Sequence, residues 1–202
     1  MIVITGFEPF GKYKINPAWE LASRIDGLQI QKHQIRAIKM PVSFKKIIKM
    51  VPEIILKYKP TIFLGLGLAA GRIGLTIERV AINIMDSREP DNDGYQPIDE
   101  AIISDAPAAY FSNMPIKKIV KKLRLEGIPI AVSNSAGTHA CNTLMFVALH
   151  TIKKKGIDAY AGFIHLPLLP EQDIKAKTPT MSLDIMIKGI KQALDVAIKD
   201  RL

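Results

Sequence analysis

Residues 61–66 read TIFLGL, a run with no charge and, after the first residue, no polar side chain. A strand with one wet face alternates apolar and polar residues. A run without alternation therefore predicts a strand covered on both faces, as in a parallel sheet. Outward from it, similar segments recur. Residues 1–5 (MIVIT), 29–39, 74–84 (GLTIERVAINI), 128–132 and 160–166 read as further strands. Helical spacing appears between them. Asn16-Pro17 is a helix start, with Asn as N-cap and Pro at the first helical position. Phe44, Ile47, Ile48, Val51, Ile55 and Tyr58 recur at helical intervals, with Pro52 as a kink or break. Ile116, Ile119, Val120 and Leu123 mark a helix that Gly127 ends; residues 139–155 mark another, and 182–202 a last one capped by Ser182. Residues 6–11 (GFEPFG) form a turn-rich loop and 86–99 (DSREPDNDGYQPID) a polar one. Strands alternating with helices predict an α/β layered fold with a largely parallel sheet. No repeat, linker or low-complexity segment intervenes, so residues 1–202 are expected to form one domain.

The bulk numbers narrow the function classes. With 48% hydrophobic residues in 202, the chain can bury a sizeable core. One cysteine cannot make an internal disulfide, which fits a reducing compartment. The start, MIVITGFEPFG, lacks a basic segment followed by a long apolar one, so no signal peptide is expected. No window reaches about 18 uninterrupted apolar residues, so no membrane helix is expected and the protein is placed in the cytoplasm. The formal net charge of +9 raises nucleic-acid binding. However, Lys45, Lys46, Lys49, Lys117, Lys118, Lys121 and Lys122 fall between apolar residues at helical spacing, as on solvated helix faces. No aromatic residues interleave with them, so neither a nucleic acid nor a membrane is expected as a partner.

The one cysteine is Cys141, in NSAGTHACNTLMF at 134–146. The pattern places it after a strand and a glycine-containing loop, in the first turn of a helix. Free N–H groups and the positive dipole end of a helix stabilise a thiolate there, lowering the pKa from about 8.5 into a range of roughly 3.5–7.5. The same N–H groups can form an oxyanion hole. Read blandly, Cys141 is a small buried hydrophobe. A nucleophilic cysteine needs a base, and His165 ends the apolar strand AGFIH, where open α/β sheets build their sites. Glu78 is a carboxylate inside an apolar strand pattern, costly unless paired. It can orient the imidazole, pair with Arg72 or Arg79, or face solvent.

Four segments then match one family in order: GFEPFG at 6–11 with Asn16-Pro17 after it, ERVAIN at 78–83, SAGTHACN at 135–142 and GFIHLPLLPEQ at 162–172; DNDGYQPID at 91–99 resembles a further loop. The chain resembles pyroglutamyl peptidase type I, the pyrrolidone carboxyl peptidase family of cysteine peptidases. The resemblance implies a Cys–His–Glu triad on Cys141, His165 and Glu78. It implies a three-layer α/β/α sandwich around a twisted, mostly parallel mixed sheet, no metal or organic cofactor, and a homotetramer. The substrates it implies are peptides with N-terminal pyroglutamate (5-oxoproline). A small, flat, uncharged ring needs aromatic walls and a few polar groups. Phe7 and Phe10 can be walls, Asn16 can fix the loop or cap the helix, and Arg88 is implied near the reacting carbonyl. The sequence departs from the family pattern at Lys12, where a second glycine is usual, and at Leu68, which often is Gln. It departs also at His139, where a bulky aromatic faces the substrate, and at Glu89, an apolar position. These bear on the pocket and leave the triad intact.

Two other chemistries are weighed. Asp91, Asp93, Gly94 and Glu100 mimic an EF-hand loop, but the first ligand would be Glu89, Pro97 interrupts the end, and the flanks do not read as helices. His139, Cys141 and His165 could be zinc ligands with Glu78 as a base. A third reading is a non-catalytic small-molecule-binding module.

Overall fold

The computed structural model describes residues 1–201. In chain order its elements are β1 (Ile2–Phe7), α1 (Pro17–Arg24), β2 (Gln29–Ile30), β3 (His33–Met40), α2 (Phe44–Tyr58), β4 (Ile62–Leu68) and β5 (Leu75–Glu78). Then follow β6 (Val80–Ile82), β7 (Ala109–Phe111), α3 (Ile116–Leu125), β8 (Ile130–Ser133), α4 (Ala140–Lys155), β9 (Tyr160–Leu166) and α5 (Leu183–Asp200). TIFLGL is the body of β4, central in a seven-stranded sheet of order β2-β3-β1-β4-β9-β5-β8. β3, β1, β4 and β9 run parallel, as do β5 and β8; β2 against β3 and β5 against β9 are antiparallel. The sheet is mixed and mostly parallel.

The lack of alternation in the strands follows from helices on both faces. Ile2, Ile4, Ile62, Leu64, Leu66 and Ile164 point to one face and pack with residues of α1, α3 and α5. Val3, Phe63, Ala161 and Phe163 point to the other and pack with α2 and α4. This is the three-layer α/β/α arrangement. α1 covers one face after β1 and α2 covers the other after β3. The connections leaving β1 and β3 therefore pass to opposite faces of the sheet, and a cavity lies at the carboxyl ends of β1, β3, β4 and β9, the usual ligand position in such sheets.

Local signals explain several boundaries. Asn16 caps α1, its Oδ1 accepting from Ala18 N at 3.1 Å. Ser43 caps α2 and Ser182 caps α5. Gly127 ends α3 with φ +71, a left-handed conformation that glycine adopts without a Cβ clash.

Four expectations need correction. Residues 29–39 are two strands, β2 and β3, joined through Gln31 at φ +52. Pro52 neither starts nor ends a helix; α2 continues through it. The segment 74–84 is two strands, because the chain leaves the main sheet at Arg79 and β6 pairs with β7 in a separate ribbon. Alternation within a segment cannot register a change of sheet. The last helix ends at Asp200, and residue 202 lies outside the described residues.

Candidate active site

Sheet register gathers the site before any side chain is considered. Thr76 on β5 lies opposite His165 on β9. Glu78, two residues further along β5, is on the same face and diagonal to His165. On the other flank of β9, Gly67 of β4 lies opposite His165 and Gly65 opposite Phe163. These positions face α4, since Phe163 belongs to the core on that side. A Cβ on Gly67 would stand 2.8 Å from Cys141 Sγ and 2.8 Å from the Phe163 ring. The sulphur therefore packs directly over Gly67, whose backbone lies one strand spacing of about 4.8 Å from that of His165. Gly67→Ala is expected to push Sγ away and lower kcat by about 10²-fold, because a displacement near 1 Å costs about that much. An unchanged kcat in the folded variant would show that the sulphur is not confined there.

Cys141 is the second residue of α4, whose N-cap is His139. The first intrahelical bond at this end is donated by Thr143 N to His139 O. The N–H groups of Ala140, Cys141 and Asn142 are thus free of helical acceptors. Asn142, fully buried, anchors this end: its Oδ1 accepts from Ile82 N at 2.9 Å and its Nδ2 donates to Ile82 O and Ile84 O.

The helix start was expected to lower the Cys141 pKa. The structure reverses that expectation: burial and then the charge of Glu78 push the thiol up to about 12, against smaller lowering effects from Arg72 and its own backbone N–H. The residue keeps partial exposure through the cavity described below. His165 is 4% exposed, and burial lowers its pKa despite its bond to Glu78. Both shifts favour a thiol and a neutral imidazole over a resting ion pair. Glu78 Oε1 takes the His165 Nδ1 contact at 2.8 Å and the Arg72 Nη1 bond at 2.9 Å. A carboxylate accepts only, so Nδ1 carries the proton and Nε2 keeps its lone pair for use as a base. Arg72, weighed from sequence only as one pairing option for Glu78, is in fact part of the site. Arg79 instead donates to Asn134 Oδ1.

A cavity of about 300 Å³ opens beside Cys141 and His165. Its walls include Phe7, Phe10, Tyr13, Ile15, Val42, Leu68 and His139, with Asn16 as a polar member. Phe7 is 2% exposed. The loop that carries Phe10 is held by Glu8, whose Oε1 accepts from Val42 N and Asn92 Nδ2, and by Asn16 Nδ2, which donates to Glu8 O. Both polar ends of Asn16 are thus engaged, one in the loop and one as the α1 cap. The His139 ring packs against Phe10 at 5.1 Å and Phe44 at 4.9 Å, and burial lowers its pKa, so it is a neutral aromatic wall. Leu68 lines the cavity as an apolar surface. Lys12 lies outside it, its ammonium 5.4 Å from the Tyr13 ring centroid. Arg88 and Glu89 are exposed in the 86–99 loop, and neither lines the cavity. Tyr13, Gly67, Arg72 and Asn142 were given no site role in the sequence reading; their part depends on register and loop return, which spacing does not reveal.

The EF-hand resemblance dissolves in the same loop. Asp91 accepts backbone N–H bonds from Phe44, Asp93 and Tyr95, while Asp93 pairs with Lys46. Among the described residues no three His, Cys, Asp or Glu side chains are grouped so as to hold a metal ion.

A thiol over a strand glycine, a carboxylate-held imidazole and a free helix N-terminus make the equipment of a cysteine-type hydrolase. The chain belongs to the pyroglutamyl peptidase family, whose model matches residues 1–200. The pyrrolidone-carboxylate peptidase of Thermococcus kodakarensis is 46% identical over 203 residues, covering 98% of this chain and 96% of that one. A mutant pyrrolidone carboxyl peptidase from Pyrococcus furiosus superposes with a TM-score of 0.96 at 43% identity, over 100% of this chain and 99% of that one. The pyroglutamyl peptidase I of Bacillus amyloliquefaciens gives 0.94 at 41% identity, over 97% and 93%.

Proposed function

We propose that the protein hydrolyses the amide bond that follows an N-terminal pyroglutamyl residue of a peptide, through a thioester on Cys141. The single observation that carries this reading is the His165 Nδ1 to Glu78 Oε1 contact at 2.8 Å, which points a neutral imidazole into the cavity that Cys141 lines.

In the first step His165 Nε2 takes the Sγ proton as the sulphur attacks the pyroglutamyl carbonyl carbon. Proton transfer during attack answers the raised thiol pKa: the sulphur need not be a thiolate at rest. The tetrahedral oxyanion accepts hydrogen bonds from the free N–H groups at the start of α4. Collapse breaks the C–N bond, and His165 returns its proton to the leaving amine. Water then attacks the thioester, with His165 again as base, releasing pyroglutamate and the thiol. Glu78 holds the tautomer and steadies the transient imidazolium without itself taking the proton. Phe7, Phe10 and His139 supply flat walls for an uncharged ring. Asn16 serves the substrate indirectly, by holding the loop that bears Phe10.

The variants His165→Ala and Glu78→Gln test the roles. His165→Ala is expected to lower kcat by about 10⁴-fold or more, and Glu78→Gln by a smaller factor, since the carboxylate acts on the base rather than on the reacting bond. Steady-state hydrolysis of pyroglutamyl-7-amido-4-methylcoumarin reads both. If His165→Ala keeps most of its turnover while His139→Ala loses it, the base is His139.

A further inference from the structure

Glu78 has no exposed surface, and only one of its oxygens is used. Oε1 takes two donors, Arg72 Nη1 and His165 Nδ1, while Oε2 is buried with no hydrogen-bond partner. A lone buried carboxylate is strongly disfavoured; a hydrogen-bonded guanidinium makes it tolerable. Arg72 also donates through Nη1 to Thr76 Oγ1, the residue opposite His165, and through Nη2 to Ser135 O at 3.4 Å, in the segment leading to Cys141. Its guanidinium thus touches the carboxylate, the strand beside the base and the approach to the nucleophile.

We propose that Arg72 is a positioning residue for the hydrolysis: it fixes Glu78 Oε1 where that oxygen can hold His165 Nδ1, and it sets the balance of charge across the Cys141–His165 pair. This rests on the catalytic reading above. Arg72 and His165 share one oxygen at 2.9 Å and 2.8 Å, so their nitrogens stand within about 6 Å, close enough for a full charge to act. The charged groups acting on the pair are Glu78 from β5 and Arg72 from the turn after β4. Glu78 raises the proton affinity of both members and Arg72 lowers it. Glu78 alone would hold the proton on the site; Arg72 offsets that field and makes the sulphur easier to deprotonate.

The sign follows. Removing the cation raises the proton affinity of His165 and Cys141 together. The acid limb of kcat/KM, where His165 takes up a proton and ceases to be a base, moves to higher pH. So does the midpoint for alkylation of Cys141 by iodoacetamide. Arg72→Gln is expected to lower kcat at neutral pH by about 10–100-fold, as loss of a supporting partner does, with KM within about threefold. The acid limb is expected to rise by about one unit. Arg72→Lys keeps the charge but not the planar fork, so it leaves the limb near its wild-type position and recovers only part of the rate. In a Glu78→Gln background, Arg72→Gln and Arg72→Lys should each cost less than about threefold, because the partner they act through is gone. An acid limb unmoved in Arg72→Gln, or the same factor lost in both backgrounds, overturns the proposal. If Arg72→Gln does not fold, the Arg72→Lys pair of backgrounds decides by the same comparison. If wild-type turnover survives complete alkylation of Cys141, the catalytic reading fails instead, which the Arg72 series does not imitate.

Discussion

Cys141→Ser is expected to abolish hydrolysis, lowering kcat by at least about 10⁴-fold while the protein stays folded. The substitution keeps the shape of the side chain and removes its acidity. The thiol already sits high, at about 12, because it is buried beside Glu78. A hydroxyl in its place is a far harder acid, and His165, a weak neutral base, cannot draw that proton at neutral pH. Sγ packs over Gly67, and an oxygen there is smaller, so no clash threatens the core. Circular dichroism should give a melting curve close to wild type. Activity within tenfold of wild type in the purified variant would remove Cys141 from the mechanism.

The second large effect concerns choice of substrate. The pyroglutamyl amide is expected to be cleaved about 10⁴–10⁵-fold more efficiently, in kcat/KM, than the corresponding glutamyl or glutaminyl amide. Opening the lactam creates a charged ammonium, and in the glutamyl case a carboxylate as well. Both are costly to desolvate beside Phe7, Phe10 and His139. Among the described residues no Lys or Arg lines the cavity to receive the carboxylate, Lys12 lies over Tyr13, and burial lowers the pKa of His139. A prolyl amide separates shape from polarity, since it keeps a five-membered ring but carries a charge and lacks the lactam carbonyl. Leu68 lines the cavity with apolar surface, so if it replaces a polar contact to the ring it is expected to raise KM more than it relaxes the choice. Prolyl or glutamyl cleavage within about tenfold of the pyroglutamyl rate would contradict the assignment of Phe7 and Phe10 to the pocket.

The layers of the fold were legible because burial on both faces leaves a plain trace. TIFLGL and AGFIH cannot be half-exposed strands, and the spacing from Phe44 to Tyr58 cannot be a strand. The sites where reading failed are those where distant segments meet. The bend at Arg79 sends ERVAIN from the main sheet into a ribbon with β7, and β7 itself carries too short a pattern to detect. The three residues proposed as a triad were recognisable singly, by a lone thiol near a helix start, a histidine at a strand end and a carboxylate in an apolar strand. That Thr76 faces His165, which brings Glu78 diagonal to it, is a matter of register and lies beyond sequence spacing. Arg72 was visible six residues before Glu78, but nothing in the sequence says that its turn folds back onto the strand. The thiol pKa went astray for a related reason. The helix N-terminus was inferred rightly, whereas the depth of the sulphur and the charge of Glu78 beside it depend on packing.

The most direct test of the central claim uses the fact that Cys141 is the only thiol in the chain. Methyl methanethiosulfonate adds a small, removable group to that sulphur alone. Hydrolysis of pyroglutamyl-7-amido-4-methylcoumarin is followed as the modified fraction, read by intact mass, rises to completion and is then reversed with dithiothreitol. Activity is predicted to fall in proportion to modification, to reach zero when every molecule is modified, and to return in full on reduction. Turnover that persists when the thiol is wholly blocked would contradict the account.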